Sequence, residues 1–308
     1  MKYLNLAKGE MHSSQIVLGC MRMHQKNDKE VEQLISVARD EGINYFDHAD
    51  IYGNGKSEEL FGNFLKNHSD VRDKIYIQTK CGICKGDFTI YDFSKKYIIK
   101  AVEGSLKRLR TDYIDTLLLH RPDALMEADE VAAAFEQLHR QGKVRHFGVS
   151  NITVMQFKYL QKSIQQKLVF NQMKLNPVHA GMIDQALNTN MKNSESFDHD
   201  GSILDYCRLQ DVTIQAWSIL QAEGTGTFFI DHPDYAGLNA VLRKLGEQYH
   251  VSSTAIVAAW ILRHPAKIQP IVGTTNPKHL KEICGAADIT LTRKEWYEIY
   301  LAPGRKLP

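Results

Sequence analysis

The chain has 308 residues, of which 43% are apolar and 24% charged, and its formal net charge is +2. This composition is typical of a globular protein and excludes a disordered tail, a collagen-like chain and a strongly basic nucleic-acid binder. No uncharged apolar run approaches the roughly 18 residues of a membrane span, and the N-terminus lacks the apolar stretch of a signal peptide. Five cysteines are too few for a disulfide framework, so we expect a cytoplasmic protein.

The first predicted element is a hairpin within residues 1–15, turning at Lys8 and Gly9. Eight short apolar runs follow, and their length and weak alternation are typical of strands buried on both faces. The runs cover residues 16–21, 43–49, 75–80, 113–120, 145–150, 169–175, 213–220 and 268–273. Helical patterns lie between them, such as the stripe of Val31, Leu34, Ile35 and Ala38, which predicts one apolar face per helix.

Several residues mark the ends of these helices. Gly42 and Gly142 are typical of the position just after a helix. Ser94 and Thr153 are typical N-caps, and Pro277 suits the first turn of the last barrel helix.

Strands that alternate with helices predict a parallel sheet. No linker or shift in composition divides the chain, so the prediction is a single (β/α)8 TIM barrel over residues 1–308. The N-terminal hairpin would cap the bottom of the barrel, and residues 292–300 would form an extra C-terminal helix. Long connections follow three strands, at residues 81–93, 176–202 and 221–235, where the loops of a barrel usually build the active site.

Polar side chains occur at the ends of three neighbouring strands. Asp47 and Tyr52 follow the second run, Lys80 ends the third and His120 ends the fourth. The carboxyl ends of barrel strands share one rim, so these side chains should converge there. A lysine that ends an apolar strand is costly unless it is paired, and Asp47 is the expected partner.

This group of side chains suits acid catalysis by a phenol. A free tyrosine has a pKa of about 10, and a neighbouring ammonium lowers the pKa by favouring phenolate. Asp47 would balance the charge of Lys80, and His120 would orient a carbonyl oxygen. None of the four side chains supplies a hydride, so the chemistry requires a nicotinamide cofactor.

Seven motifs make the sequence similar to the aldo-keto reductase superfamily over essentially its whole length. They are FDHADIYGNGKSEELFG (46–62), TK (79–80), LLLHRPD (117–123), GKVRHFGVSN (142–151), FNQMKLNP (170–177), AWSIL (216–220) and PIVGTTNPKHL (270–280). The resemblance implies a TIM-barrel oxidoreductase that reduces an aldehyde or ketone to an alcohol with NAD(P)H. It also implies that Tyr52 is the general acid, that Lys80 and Asp47 tune it, and that His120 orients the carbonyl.

The same resemblance implies the residues that hold the cofactor. Ser150, Asn151 and Gln172 match positions that bind the nicotinamide carboxamide, and Trp217 matches the aromatic residue that stacks on the ring. The remaining matches are Ser218 and Leu220 at the pyrophosphate and Gly273, Thr274, Thr275 and Asn276 at the adenosine phosphate. Gly19 and Met21, at the end of the first strand, are also assigned to the cofactor site, and Met21 should face the pocket.

The sequence departs from the family pattern at the adenosine end. Many members carry an arginine where His279 stands, and this arginine grips the 2′-phosphate of NADP. Lys278 and the hydroxyls of Thr274 and Thr275 would compensate, so NADP(H) is the expected cofactor and NAD(H) the alternative. Arg22, Phe88 and Tyr91 are the candidate substrate-binding residues.

Two other functions compete with this interpretation. A non-catalytic subunit that senses nicotinamide nucleotides would keep the same cofactor site. A metal-dependent barrel hydrolase would use His48, Asp50, His120 and Asp123, although the first strand offers no matching ligands and no spacing predicts a zinc site.

The remaining expectations concern the thiols and the partners of the chain. Cys81 and Cys84 resemble a dithiol motif, but two reduced thiols are expected, with Lys80 lowering the pKa of Cys81 and making it sensitive to alkylation. The expected partner is a small-molecule carbonyl compound, without nucleic acid, membrane or metal, and a monomer is the default state.

Overall fold

A computed structural model describes residues 1–86, 89–188, 194, 201–222 and 227–305 of the chain. The first two strands, β1 (Tyr3–Leu6) and β2 (Met11–Ser14), pair antiparallel and form the predicted hairpin. Its turn contains Lys8 and Gly9, whose φ angles of 58° and 97° lie in the left-handed region. Glycine adopts that region without steric cost, so this pair of residues reverses the chain within a short loop.

Eight parallel strands close into a barrel, which confirms the predicted fold. In chain order, the strands after the hairpin are β3 (Val17–Gly19), β4 (Tyr45–Asp47), β5 (Tyr76–Cys81), β6 (Ile83–Cys84), β7 (Ile90–Tyr91), β8 (Ile114–Leu119), β9 (Val144–Ser150), β10 (Leu168–Lys174), β11 (Thr213–Trp217) and β12 (Gln269–Val272). All of these except β6 and β7 belong to the barrel, which closes where β12 pairs with β3. Strands β6 and β7 form a small hairpin in the long connection after β5.

Helices connect the barrel strands. They are α1 (Asp28–Asp40), α2 (Lys56–Asn67), α3 (Lys95–Leu109), α4 (Ala128–Arg140), α5 (Val154–Ser163), α6 (Gly181–Leu187), α7 (Ile203–Leu209), α8 (Ala236–Tyr249), α9 (Ser253–Leu262), α10 (Pro277–Cys284) and α11 (Arg293–Leu301). Helix α11 is the expected extra C-terminal helix. Within the described part of the chain, no helix combines the length and apolar character needed to cross a membrane.

The helix boundaries agree with the capping residues of the sequence. The hydroxyls of Ser94 and Thr153 accept hydrogen bonds from the first turns of α3 and α5. Gly42 and Gly142 follow α1 and α4 with φ angles of 82° and 70°, and Pro277 is the first residue of α10. Local sequence therefore sets these boundaries, as capping rules predict.

The hairpin closes the N-terminal end of the barrel. Its residues Leu6 and Met11 pack in one buried cluster with Val17 and Tyr45, which begin β3 and β4, and with Phe170 of β10. Full burial of such a side chain stabilises the fold by about 1.5–3 kcal/mol. The hairpin therefore covers the N-terminal end of the barrel, and the polar side chains lie at the opposite, C-terminal end.

Candidate active site

Two polar side chains and one backbone carbonyl surround a buried ammonium group at the C-terminal end of the barrel. Lys80 Nζ donates hydrogen bonds to the Asp47 carboxylate at 2.8 Å, to the His48 carbonyl at 2.7 Å and to Tyr52 Oη at 3.0 Å. The Lys80 side chain is fully buried, and that of Asp47 is 3% exposed. An ammonium group has three protons, so this arrangement satisfies each of them and pairs the buried charge.

A tight turn between β4 and α2 places Tyr52 above Lys80. The backbone N–H of Tyr52 donates to the Ala49 carbonyl at 3.1 Å, and its carbonyl accepts from Ser57 N at 3.3 Å. The next residue, Gly53, has a φ of 58°, and a Cβ added there would lie 2.4 Å from His24 Cβ. Glycine is required at this position because both the backbone conformation and the close packing exclude a side chain.

Burial and neighbouring charges have opposite effects on the pKa values of Tyr52 and Lys80, which share a hydrogen bond. Burial raises the pKa of the Tyr52 phenol above its usual value, and this effect outweighs the opposing effect of the Lys80 ammonium. The sequence predicted the opposite net direction, because the extent of burial was not visible in it. Burial acts to lower the pKa of Lys80, but the charges of Asp47 and Tyr52 outweigh it and raise the pKa. Both groups therefore keep their protons at neutral pH.

His120 faces Tyr52 from the end of β8. The two ring centroids are 5.9 Å apart with an interplanar angle of 82°. Burial, together with the charges of Lys80 and Arg121, lowers the pKa of His120 well below its usual value. His120 Nδ1 is buried and has no hydrogen-bond partner among the described residues. A neutral imidazole in this position carries one N–H that can donate to a substrate oxygen.

The predicted nicotinamide-binding residues lie together at the ends of β9, β10 and β11. Asn151 Nδ2 donates to Ser150 Oγ at 2.8 Å, and Ser150 Oγ donates to the Gln172 carbonyl at 2.9 Å. Trp217 Nε1 donates to Asn151 Oδ1 at 3.3 Å, which places the indole beside the amide groups. The Trp217 side chain is only partly buried, so part of it is open to a ligand.

The predicted adenosine-end residues lie between β12 and the first turn of α10. Thr274 Oγ1 accepts a hydrogen bond from Asn276 N at 3.1 Å, and Asn276 Oδ1 caps the helix by accepting from Lys278 N at 2.9 Å. Lys278 and His279 are exposed on the first turn of the helix. The N-terminal end of a helix favours an anion, and Lys278 adds a positive charge there.

The other predicted binding residues are more dispersed. Gly19 is buried, and a Cβ added to it would lie 2.8 Å from Ile271 Cγ2, whereas Met21 is 45% exposed. Ser218 and Leu220 follow β11 and are partly buried.

The residues predicted to bind the substrate also lie apart from one another. Arg22 Nη1 donates to the Gly273 carbonyl at 3.5 Å, and its guanidinium lies 5.6 Å from the centre of the Phe228 ring. Tyr91 is 44% exposed on β7, and Phe88 lies outside the described residues. The sequence analysis missed Arg121, whose guanidinium lies 5.2 Å from the centre of the Trp217 ring.

The structure corrects the expectation for the thiols. Cys81 and Cys84 are free thiols, and Cys81 is fully enclosed. Burial, with a contribution from the charge of Asp50, raises the pKa of Cys81 well above its usual value. The expected lowering of the Cys81 pKa is therefore wrong, and with it the reason for expecting sensitivity to alkylation, since the thiolate is the nucleophile.

The residues named for a metal-dependent hydrolase do not form a ligand cluster. Among the described residues, no group of three or more His, Cys, Asp or Glu side chains is arranged to hold a metal ion. His48 is buried with its ring 4.7 Å from that of Phe61, and burial, with the charge of Lys80, lowers its pKa to about 3. Its position therefore indicates packing rather than metal binding.

Asp50, which the sequence analysis considered only as a metal ligand, is a partly buried residue whose carboxyl oxygen Oδ1 is enclosed. Tyr97 Oη donates to Asp50 Oδ2 at 3.4 Å, but Oδ1 has no hydrogen-bond partner in the described part of the chain. Burial, together with the charge of Glu58, raises the pKa of Asp50 to about 7. Asp50 lies between Asp47 and Tyr52 in the sequence. The sequence does not show how deeply the loop between β4 and α2 is buried, so it could not single out this carboxyl.

Sequence comparisons identify relatives along nearly the whole chain. A profile described as the aldo/keto reductase family matches residues 15–300. The chain is 34% identical over 309 residues to the 6-dehydroglucose reductase of Agrobacterium fabrum strain C58, with 97% of each chain covered. It is 37% identical over 296 residues to the oxidoreductase YdhF of Escherichia coli K12, covering 93% of this chain and 92% of the relative.

Solved structures share the fold at lower identity. The glycerol dehydrogenase AKR11B4 from Gluconobacter oxydans matches with a TM-score of 0.80 and 24% identity, covering 100% of this chain and 98% of the other. An aldo-keto reductase from Klebsiella pneumoniae in complex with NADPH matches with a TM-score of 0.76 and 21% identity, covering 99% and 96% of the two chains. At these identities the structural matches support the barrel fold.

Proposed function

This chain belongs to the aldo/keto reductase family of oxidoreductases, and we propose that it reduces an aldehyde or ketone to an alcohol with NADPH. The observation that carries the proposal is the Lys80 ammonium held between the Asp47 carboxylate and the Tyr52 hydroxyl. A carbonyl compound would enter as a small-molecule partner at the open end of the barrel. The closure of all eight barrel strands supports treating residues 1–308 as one catalytic domain.

Tyr52 is the proposed proton donor. Its phenol keeps its proton at neutral pH, and negative charge develops on Oη as the proton moves to the carbonyl oxygen. Lys80 lies 3.0 Å from that oxygen and stabilises the developing charge, while Asp47 holds the ammonium in place. General acids of this kind accelerate reactions by about 10²–10⁴-fold. The neutral His120 would donate a hydrogen bond to the same carbonyl oxygen and orient it.

The strand ends offer a set of groups that fits a nicotinamide carboxamide. When bound, the cofactor supplies the hydride to the carbonyl carbon. Gln172 Nε2 already donates to Asp47 at 3.2 Å and to Gln215 at 3.3 Å. Its Oε1 therefore remains to accept from the carboxamide, with Ser150 and Asn151 beside it. The Klebsiella pneumoniae relative in complex with NADPH supports this choice of cofactor.

A fluorescence titration with NADPH and NADH tests the proposed cofactor site. We expect either nucleotide to quench tryptophan emission, because Trp217 would stack on the nicotinamide, and we expect NADPH to bind more tightly. Trp217→Phe is the matched control and should lose most of the quenching. Absence of binding by calorimetry would contradict the proposal. Tight binding without turnover of any carbonyl compound would instead favour a nucleotide-sensing subunit.

The first turn of α10 should determine the preference between the two nucleotides. His279→Arg is expected to tighten NADPH binding by about tenfold with little change for NADH, because a guanidinium can bind the 2′-phosphate through two hydrogen bonds. Lys278→Met should weaken NADPH selectively. Lys281→Met removes the same charge from the same helix, where Lys281 lies 3.8 Å from Glu41, and serves as the control. Equal effects of the Lys278 and Lys281 variants would argue against a specific phosphate contact.

A further inference from the structure

Four glutamine side chains lie inside the barrel, below the proposed active site. They are Gln78 of β5, Gln172 of β10, Gln215 of β11 and Gln269 of β12, and all are buried. An amide group in the interior costs free energy unless its polar atoms are hydrogen-bonded. Four such residues in strands that are otherwise largely apolar therefore require an explanation.

The four amides connect the N-terminal hairpin to Asp47. Gln269 Nε2 donates to the Ser14 carbonyl at 2.8 Å, and Gln269 Oε1 accepts from Gln215 Nε2 at 2.9 Å. Gln215 Oε1 accepts from Gln78 Nε2 at 2.7 Å and from Gln172 Nε2 at 3.3 Å. The same two nitrogens donate to Asp47 Oδ1 at 2.7 and 3.2 Å.

Two groups that can only accept, the Ser14 carbonyl and the Asp47 carboxylate, lie at the two ends of this amide network and set the direction of its amides. A backbone carbonyl can only accept, so the Ser14 carbonyl requires Gln269 to point its side-chain nitrogen towards the hairpin and its side-chain oxygen towards Gln215. That oxygen in turn requires the nitrogen of Gln215 and directs the oxygen of Gln215 towards Gln78 and Gln172. Tyr45 Oη lies 3.0 Å from Gln78 Oε1 and can donate to it, which is compatible with this direction of the Gln78 amide. Two N–H donors therefore point at Asp47.

We propose that Gln78, Gln215 and Gln269 are positioning residues that, with Gln172, transmit the direction set by the Ser14 carbonyl to the Asp47 carboxylate. This inference rests on the proposed function, because Asp47 matters through its contact with Lys80. The two amide donors hold one carboxylate oxygen in place and leave the carboxylate facing the ammonium group. Lys80 is thereby kept within hydrogen-bond distance of Tyr52.

Two substitutions of Gln269, the amide farthest from Asp47 in this network, distinguish a positioning role from a packing role. Gln269 makes no contact with Asp47 that the structure records. Gln269→Met keeps the volume but removes three hydrogen bonds, to the Ser14 carbonyl, to Ser13 Oγ and from Gln215 Nε2. The Gln215 amide is then free to reverse its orientation. Gln269→Glu, when protonated, can donate to the Ser14 carbonyl and accept from Gln215 Nε2, so it preserves the direction. If Gln269 only fills space in the interior, Gln269→Met should preserve function better than Gln269→Glu. If Gln269 positions the other amides, Gln269→Glu should preserve function better.

The first measurement is steady-state reduction of a carbonyl substrate. We expect Gln269→Met to lower kcat by about tenfold with KM and the Kd of NADPH unchanged, because only the geometry around Lys80 changes. Gln269→Glu should recover most of this loss. Thr116→Val is the matched control, since Thr116 is the cross-strand partner of Gln78 and is bonded to Tyr45 at 3.0 Å, but no hydrogen bond joins it to the four amides in the described structure. It should leave kcat within about twofold of the original value.

The second measurement does not depend on turnover. Proton exchange of the Lys80 ammonium, observed by ¹H–¹⁵N NMR and assigned with Lys80→Met, reports how firmly this group is held. We expect exchange at least about tenfold faster in Gln269→Met and near the original rate in Gln269→Glu and Thr116→Val. An unchanged rate in Gln269→Met, or a greater loss in Gln269→Glu, overturns the proposal. If the original protein reduces no carbonyl but exchange still accelerates, the proposed function fails and the positioning role stands.

Discussion

Replacing Tyr52 by phenylalanine should lower kcat by about 10²–10⁴-fold, since the variant has no acidic proton to give to the carbonyl oxygen. The phenyl ring can keep its edge-to-face contact with His120, whose ring centroid lies 5.9 Å away, so the pocket should retain its shape. The affinity for NADPH is expected to change by less than about twofold, because none of the proposed cofactor contacts involves the hydroxyl. Stopped-flow reduction and a fluorescence titration would measure these two quantities separately.

Tyr97 provides the matched control for this experiment. Its hydroxyl also lies near the rim and donates to Asp50 Oδ2 at 3.4 Å, but no hydrogen bond joins it to Lys80 in the described structure. Tyr97→Phe should therefore keep most of the turnover. A Tyr52→Phe variant that retained more than about a tenth of the original kcat would contradict the assignment of Tyr52 as the general acid.

The second large effect concerns stability and pH at Asp50. An aspartate in the unfolded chain has a pKa of about 3.9, whereas burial, with the charge of Glu58, raises the pKa of Asp50 to about 7 in the folded protein. The folded state therefore binds this proton more tightly. The contribution of Asp50 to stability is complete below about pH 4 and is lost as the pH rises to about 7, with a total change of up to about 4 kcal/mol.

Asp50→Asn removes this titration while keeping a polar side chain of the same size. Relative to the original protein, the variant should gain up to about 4 kcal/mol in its free energy of unfolding between pH 4 and pH 8. Urea unfolding at several pH values would measure the difference, and the buried His48 and His120 cancel because both proteins contain them. Asp112→Asn, at an exposed carboxylate, should leave the pH dependence as it was. A constant difference between the two proteins across this range would show that Asp50 does not titrate as described.

Local sequence determined the elements of this barrel. Strand length, apolar stripes and capping residues act over a few neighbouring positions, so they remain visible in the chain alone. Ser94 and Thr153 cap the predicted helices, and the eight apolar runs coincide with the eight barrel strands within a few residues. The parallel order then placed Asp47, Lys80 and His120 at one rim, because the carboxyl ends of barrel strands meet there.

Tertiary structure decided the electrostatics and the supporting contacts. Burial reversed the expected pKa directions of Tyr52 and Cys81, and the depth of a side chain depends on what the rest of the chain packs around it. The amide chain joins Gln269 to Ser14 across 255 positions of sequence, so no local pattern could reveal it. The sequence by itself therefore determined which chemical groups reach the rim. Only the folded barrel determined their burial and their partners, because both arise from contacts between distant segments.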